Sequence, residues 1–179
     1  MAEQRSRLLP RRLGGNWIVM ASSHVAVGVA AWTWTAPHLG LSSLNPEGLV
    51  LAAVGALLPD IDHPGSWVGR RLSLISVPLA AMLGHRGVTH SLVAVLACMA
   101  FLRWEGLSNS VVAPLVIGYL SHLGADLLTT NGLRLAWPSS KRHSIGVCRT
   151  GSVTESVIVA GVVLAAGINM MHIHQAFGP

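Results

Sequence analysis

The sequence has few charged residues and few cysteines, and each shortage excludes a class of protein. Only 11% of its 179 residues are charged, whereas a soluble domain carries about 25%. Since 51% of the chain is apolar, the composition disfavours a soluble protein and favours one embedded in a membrane. The two cysteines, Cys98 and Cys148, form no Cys-x-x-Cys motif and no disulfide framework.

The net charge of +5 raises the question of a nucleic-acid partner, but the basic residues are not interleaved with aromatic residues on a polar domain. They are better explained as the cytoplasmic loops of a membrane protein. Residues 1–15 form a basic cytoplasmic tail in this interpretation. The apolar run that follows is long and contains Asn16 and His24, so it is interpreted as a retained first span and not as a cleaved signal peptide.

The apolar runs predict an all-α fold, a polytopic membrane helical bundle formed as a single domain by residues 16–179. About five helices are expected to cross the membrane, with the N-terminus in the cytoplasm of a bacterial cell. The predicted crossings are residues 16–36, 46–58, 90–104, 109–128 and 153–171. Residues 72–83 are short and contain Pro78, which predicts an interfacial or re-entrant helix. This topology leaves only Arg103, of the twelve Lys and Arg residues, on the outer side.

Polar residues are concentrated in residues 57–90, which contain two Asp, three His and three Arg. If Pro-Asp-Ile-Asp is extended, Asp60 and Asp62 point to the same side. Two neighbouring carboxylates repel each other unless a cation or proton lies between them, which favours a metal site over a solvated loop. His85 and His90 flank Arg86, whose permanent charge suits a phosphate or an anchoring role at the membrane surface.

A second polar group lies on the predicted helix of residues 109–128. His122 and Asp126 are four residues apart, so they project from one helix face on successive turns. This spacing suits a shared metal ion, or an Asp that orients a ligand His. An interhelical His–Asp hydrogen bond without a metal explains the pair equally well.

Two further candidates are His24 and Glu155. By itself, His24 on an apolar helix suggests a packed, hydrogen-bonded core residue, and Glu155 suggests a carboxylate favoured by the helix N-terminus. In the predicted topology, however, both lie at the cytoplasmic ends of their helices, as do the Asp and His residues above. The shared level favours a role for both in one site.

The number of candidates suggests more than one metal ion. A catalytic zinc ion needs three protein ligands and an open position, and two ions sharing a carboxylate would use more of the candidates. The expected cofactor is a divalent metal, most simply Zn²⁺. The candidate metal ligands are His24, Asp60, Asp62, His85, His90, His122, Asp126 and Glu155.

Three motifs resemble a known family. LLPDIDHP, GHRGVTHSL and GYLSHLGADLLT, followed by Trp137-Pro138 and Glu155, closely resemble bacterial inner-membrane proteins described as LexA-regulated metal-dependent hydrolases. The resemblance extends from His24 to Glu155 and implies that the eight candidates above bind metal. The His-x-x-x-Asp pair and later Glu are also distantly similar to zinc-dependent phospholipase C. The chain lacks the N-terminal Trp ligand of those enzymes, so a three-zinc site is not implied.

The sequence therefore leads to the hypothesis of a membrane-bound metal-dependent hydrolase of a phosphoester, such as a phospholipid, at the cytoplasmic face of the inner membrane. Asp62 or another carboxylate not bound to metal would take a proton, and Arg86, Lys141 and Arg142 would bind the phosphate. The expected partners are membrane lipid and a lipid or phosphoester substrate, without nucleic acid. The alternatives are a non-catalytic metal or proton transporter and a structural membrane protein. The oligomeric state and the substrate stay open.

Overall fold

The computed structural model describes residues 16–83 and 87–177, and within these ranges the fold is all-α, as predicted. Short 3-10 turns cover Ala36–Leu39 and Leu58–Asp62. The described ranges contain no β-strand and two isolated β-bridges. The helices in chain order are α1 (Asn16–Thr35), α2 (Pro46–Leu57), α3 (Trp67–Arg71), α4 (Ser73–Leu83), α5 (Leu92–Trp104), α6 (Asn109–Leu128) and α7 (Val153–Phe177).

Local sequence signals set most helix boundaries. The side chain of Asn45 caps α2 by accepting a hydrogen bond from the Glu47 N–H, and Pro46 takes the first helical position. Ser91 caps α5 by accepting from the Ala94 N–H, so this helix begins at Leu92, two residues after the start of the predicted crossing.

The prediction of about five membrane crossings is not borne out in number. Within the described ranges, two helices are long and apolar enough to cross a membrane, α6 and the Val153–Ile173 part of α7. The lengths of α2 and α5 are 12 and 13 residues, about 18–20 Å, which falls short of a hydrocarbon core of about 30 Å. Helix α1 has 20 residues, but its first half contains Ser22, Ser23 and His24.

The lengths of α4 and α7 can also be compared with the sequence prediction. The short helix predicted over residues 72–83 is present as α4, and its 11 residues are too few to cross a bilayer. Helix α7 continues to Phe177, past the predicted end at residue 171, because no glycine or proline interrupts the run after Gly167.

Small residues allow α2 and α6 to pack backbone against backbone. A Cβ atom on Gly118 would lie 2.1 Å from the Ala52 carbonyl oxygen, and one on Gly55 would lie 2.2 Å from the Leu115 carbonyl oxygen. Gly28 of α1 is equally constrained, since its Cβ would lie 2.7 Å from the Cβ of Ala56. Glycine is therefore required at these crossings, which is the usual way in which membrane helices approach closely.

Helix α6 is the centre of the bundle and packs against α1, α2 and α5. One core cluster joins Val95 of α5 to Tyr119 and Leu123 of α6 and to Leu133 of the following loop. A second cluster is formed around Trp32 of α1 at the other end of the bundle. Helix α7 packs against α1 and leaves most of its apolar surface exposed. This arrangement brings the polar ends of α1, α2 and α6 together.

Candidate metal centre

Six of the predicted site residues meet in one buried cluster. They come from α1, the 3-10 turn after α2, the residues before α5, and α6. Donor atoms from these side chains form two overlapping groups, in each of which all donor atoms lie within 4.8 Å of one another. The cluster consists of His24, Asp60, Asp62, His90, His122 and Asp126.

Asp126 lies at the centre of the cluster and presents its two oxygens to different histidines. Its Oδ1 is 3.7 Å from Nε2 of His24, and its Oδ2 is 3.7 Å from Nε2 of His90 and of His122. The His24 and His122 rings are stacked, with centroids 3.8 Å apart. A single carboxylate thus faces two sets of imidazole nitrogens, as a bridging ligand must.

Asp60 adds a carboxylate oxygen beside the Nε2 atoms of His90 and His122. Its Oδ1 lies 3.8 Å from Nε2 of His90 and 4.0 Å from Nε2 of His122. Two ligands of one tetrahedral zinc ion, each about 2.0–2.2 Å from the metal, lie about 3.3–3.6 Å apart. The measured separations are slightly longer than this and exceed hydrogen-bond length. The residues present therefore fit a divalent ion with nitrogen and oxygen ligands.

The backbone of α2 sets the tautomer of His122. Its Nδ1 lies 2.7 Å from the Ala56 carbonyl oxygen, and since a carbonyl only accepts, Nδ1 carries the proton. Ala56 lies in the last turn of α2, where carbonyls lack a full set of helical partners, and Pro59 has no N–H to offer it. The Gly118 crossing holds α2 close enough for this bond. His122 consequently presents an unprotonated Nε2 to the cluster.

A chain of hydrogen bonds orients His90 in the same sense. The Thr89 hydroxyl donates to Oδ2 of Asp62, so its oxygen is an acceptor for Nδ1 of His90 at 3.1 Å. The Tyr119 hydroxyl donates to the Thr89 carbonyl at 2.6 Å and fixes the backbone there. His90 and Asp62 are both completely buried. Like His122, His90 directs Nε2 toward the cluster.

The two Asp residues of Pro-Asp-Ile-Asp take different positions, contrary to the expectation for an extended strand. Residues Leu58–Asp62 form a 3-10 turn, so Asp60 and Asp62 do not share a face. Asp60 faces Nε2 of His90, while Oδ1 of Asp62 lies 3.8 Å from Nδ1 of the same ring. The two carboxylates thus approach His90 from opposite edges of its ring, and Asp62 lies behind the histidine.

Glu155 lies across a cavity from the cluster. It begins α7, where its Oε2 accepts from the Gly151 N–H, and it lines a cavity of about 370 Å³ together with His24 and Asp126. Of the cation candidates, Lys141 and Arg142 are exposed on the loop before α7, where Arg142 donates to the Asn131 carbonyl at 3.1 Å. The predicted ligand His85 and the predicted phosphate ligand Arg86 lie outside the described residues.

Three contributors to the site were not predicted from the sequence. The hydroxyl of Thr89 connects His90 to Asp62. Tyr119 and the Ala56 carbonyl support the two histidines from α6 and α2. The only sequence signal for Tyr119 was its position one helical turn before His122. A backbone carbonyl leaves no such signal.

Comparison with known proteins places the chain in a family. The family model for the YdjM inner membrane protein matches residues 19–177. The chain is 35% identical to the uncharacterized protein YvsG of Bacillus subtilis over 145 residues, which cover 80% of this chain and 89% of that protein. It is 46% identical to the inner membrane protein YdjM of Escherichia coli over 101 residues, 54% of this chain and 52% of that protein. No solved structure matches. The chain belongs to the YdjM inner membrane protein family.

Proposed function

We propose that this protein is a metal-dependent hydrolase that cleaves a phosphoester at the cytoplasmic face of the inner membrane. The observation that carries the proposal is the meeting of three histidines and three aspartates, from four separate parts of the chain, in one buried cluster. Buried carboxylates and imidazoles are costly unless they are paired or bind a cation, and near a membrane they mark functional sites.

Two metal positions use the cluster most completely. Asp60, His90, His122 and Oδ2 of Asp126 would hold one ion, and His24 with Oδ1 of Asp126 would hold a second. His122 serves one ion only, since its Nδ1 is committed to the Ala56 carbonyl. Nitrogen and carboxylate donors in this proportion suit Zn²⁺. In such a site a divalent metal lowers the pKa of water to about 7 and polarises a phosphoryl oxygen.

Asp62 and Glu155, the two carboxylates outside these metal positions, have different roles in the proposal. Asp62 is buried behind His90 and acts on it through Thr89, so its role is to position that histidine. Glu155 lines the cavity that reaches His24 and Asp126, so it is the carboxylate best placed to take a proton from water entering there. The sequence-based hypothesis that Glu155 binds metal remains the alternative for this side chain.

The phosphate of the substrate would be bound by cations at the cytoplasmic end of the bundle. Arg86 lies in the segment between α4 and α5, and Lys141 and Arg142 are exposed on the loop before α7. Arginine suits this role because its planar guanidinium donates two parallel hydrogen bonds to a phosphate. These assignments continue the sequence-based hypothesis.

Hydrolysis of phospholipids and of water-soluble phosphoesters by the purified protein in lipid nanodiscs tests the proposal. We expect activity that zinc restores after chelation and that the double variant His122→Ala, Asp126→Ala lacks. His38→Ala is the matched control, because His38 is exposed in the 3-10 turn after α1, away from the cluster. Activity retained by the double variant, or absent from the zinc-loaded wild-type protein on all these substrates, contradicts the proposal.

A metal or proton pathway is the rival function, and α6 argues against it. A pathway needs polar groups throughout the depth of the membrane. Residues 111–120 of α6 include no charged or imidazole side chain, and the polar groups of the helix gather toward His122 and Asp126. Metal-dependent proton or metal uptake into proteoliposomes, without hydrolysis, is the result that would favour the rival.

A further inference from the structure

A cavity of about 370 Å³ lies between α1, α6 and α7 and extends away from the metal cluster. This volume falls within the range of small-molecule pockets, about 300–1,000 Å³. His24 and Asp126, which belong to the cluster, are part of its wall, so the cavity and the site are continuous. The hydrolase chemistry proposed above needs no cavity that continues beyond the reacting groups, and the extension therefore calls for its own explanation.

The lining of the cavity changes from polar to apolar along its length. The polar end includes His24, Asp126, Thr129, Thr150 and Glu155. The apolar end includes Val27, Ala31, Ile158, Val159 and Val162. Along α1 the lining runs from Ser23 to Ala31, which is about 12 Å of helix. A lining that is polar at one end and apolar at the other matches a molecule with a polar head and one apolar chain.

The direction of the cavity matches that of lipid chains in a bilayer. Its walls follow α6 and α7, the two described helices that are long and apolar enough to cross a membrane. Only 6% of the apolar stretch of α7 is buried inside the protein, so the outer side of this wall faces the surroundings of the bundle. In a membrane, lipid would therefore border the outer side of α7.

The side chains along the cavity are small where a chain would pass. Ala31 and Ala125 line it, and a Cβ atom on Gly124 would meet no atom within 4 Å. At the α2–α6 crossing the opposing backbone occupies the space next to each glycine, whereas the space next to Gly124 is open. Gly124 is exposed and lines the cavity, so no protein atom fills the space next to its Cα.

We infer that this cavity binds one hydrocarbon chain of a membrane lipid whose phosphate group lies at the metal centre. The inference rests on the proposed function for the role of the head group and names the substrate class, a phosphate ester with a long alkyl or acyl chain. Burial of the chain provides binding free energy that a water-soluble phosphoester lacks. The metal centre and the cavity together would thus select amphiphilic substrates.

Photo-crosslinking tests the inference without relying on turnover. The probe is a long-chain alkyl phosphate with a diazirine in its chain, added to the full-length protein in nanodiscs of zwitterionic lipid, and crosslinked residues are mapped by mass spectrometry. The first variant is Gly124→Leu, which fills the cavity, and its control is Gly161→Leu, on α7, where an added Cβ also meets nothing within 4 Å. The second variant is Val162→Phe at the apolar end, with exposed Val157→Phe as control.

The expected result is crosslinking to Val27 and Val159 that falls about tenfold in Gly124→Leu and in Val162→Phe, and not in the controls, as loss of burial of about two methylenes predicts. Crosslinking spread evenly over the exposed face of α7, and unchanged in both variants, overturns the inference. So does protection of the cavity by a tightly bound polypeptide, identified as a crosslinked partner in the same experiment.

The two proposals fail in different ways. Specific crosslinking in a protein that binds no metal and hydrolyses nothing supports the chain site and contradicts the hydrolase. Hydrolysis of phosphoesters at rates independent of chain length, with no crosslinking in the cavity, supports the hydrolase and overturns the chain site.

Discussion

The two sides of α1 differ in how tightly their helices pack. On one side, the site half, α2 and α6 pack against α1 and hold the cluster of histidines and aspartates; on the other, the cavity half, α7 packs against α1 and leaves a cavity. In α6, 39% of the residues in the apolar stretch are buried within the protein, against 6% in α7. Two apolar helices of similar length thus have different roles, one as a scaffold for the site and one as a boundary.

Glycines in this bundle allow close helix packing only where another backbone lies against them. Gly118 of α6 lies against the Ala52 carbonyl, and one turn later His122 receives support from the Ala56 carbonyl of the same helix. Gly161 and Gly167 of α7 meet nothing within 4 Å of an added Cβ atom. Close packing in the site half therefore positions the proposed metal ligands, whereas the looser cavity half contains the cavity.

The largest expected effect is at the α2–α6 crossing. Gly118→Leu must force the helices apart, because its Cβ would lie 2.1 Å from a backbone oxygen that cannot move independently. We expect a loss of more than about 4–5 kcal/mol in the free energy of unfolding, or no folded protein at all. Gly161→Leu, its counterpart in α7, should cost no stability, because helix propensity favours leucine over glycine by roughly 0.5–1 kcal/mol. Unfolding in detergent micelles gives both values, and equal effects would erase the contrast between the halves.

Alanine substitutions at one buried and one exposed leucine should give an effect of intermediate size on stability. Leu123 of α6 is 3% exposed and packs with Val95, Tyr119 and Leu133, whereas Leu164 of α7 is 65% exposed. Leu123→Ala should cost about 2–5 kcal/mol, as cavity-creating substitutions do. Leu164→Ala should cost less than about 1 kcal/mol, measured in the same unfolding assay. A larger loss for Leu164→Ala would mean that α7 packs on a further surface, such as a second copy of the chain.

The smallest expected effect is a change in zinc affinity within the site half. Thr89→Val removes the hydroxyl between His90 and Asp62 but no proposed ligand. We expect zinc affinity to fall about 10–100-fold, the usual cost of losing an outer hydrogen-bond partner, while saturating zinc restores full occupancy. Thr33→Val is the control, since Thr33 is buried on α1 and its hydroxyl donates to the Ala30 carbonyl of its own helix. Competition with a zinc-binding dye measures both affinities. Equal zinc affinities in the two variants would mean that Asp62 has no role in the site.

Periodicity and caps made most of the fold predictable from the sequence. The run of apolar residues predicted α6 with the bounds that it has, and Asn45-Pro46 predicted the start of α2. The number of crossings was overestimated because apolar runs of 12 or 13 residues resemble spans in composition and differ only in length. Sequence alone also cannot show which apolar helix is buried, since α6 and α7 look alike by composition.

The site was predictable in its members and not in its geometry. Residue chemistry and spacing singled out His24, Asp60, His90, His122 and Asp126, which the structure brings together. The different positions of Asp60 and Asp62 depend on the 3-10 turn of residues Leu58–Asp62, whereas an extended strand was the simpler expectation. The support from Thr89 and the Ala56 carbonyl arises from tertiary contacts that no local pattern records.

The metal content of the purified protein shows whether the buried cluster binds a divalent metal ion. The protein is stripped with a chelator, loaded with Zn²⁺ in nanodiscs, washed and analysed by elemental mass spectrometry beside His122→Ala and His38→Ala. We expect about one to two ions per chain in the wild-type protein and in His38→Ala, and loss of bound metal in His122→Ala. Wild-type protein that retains no zinc, or a His122→Ala variant that retains as much as wild type, would contradict the account.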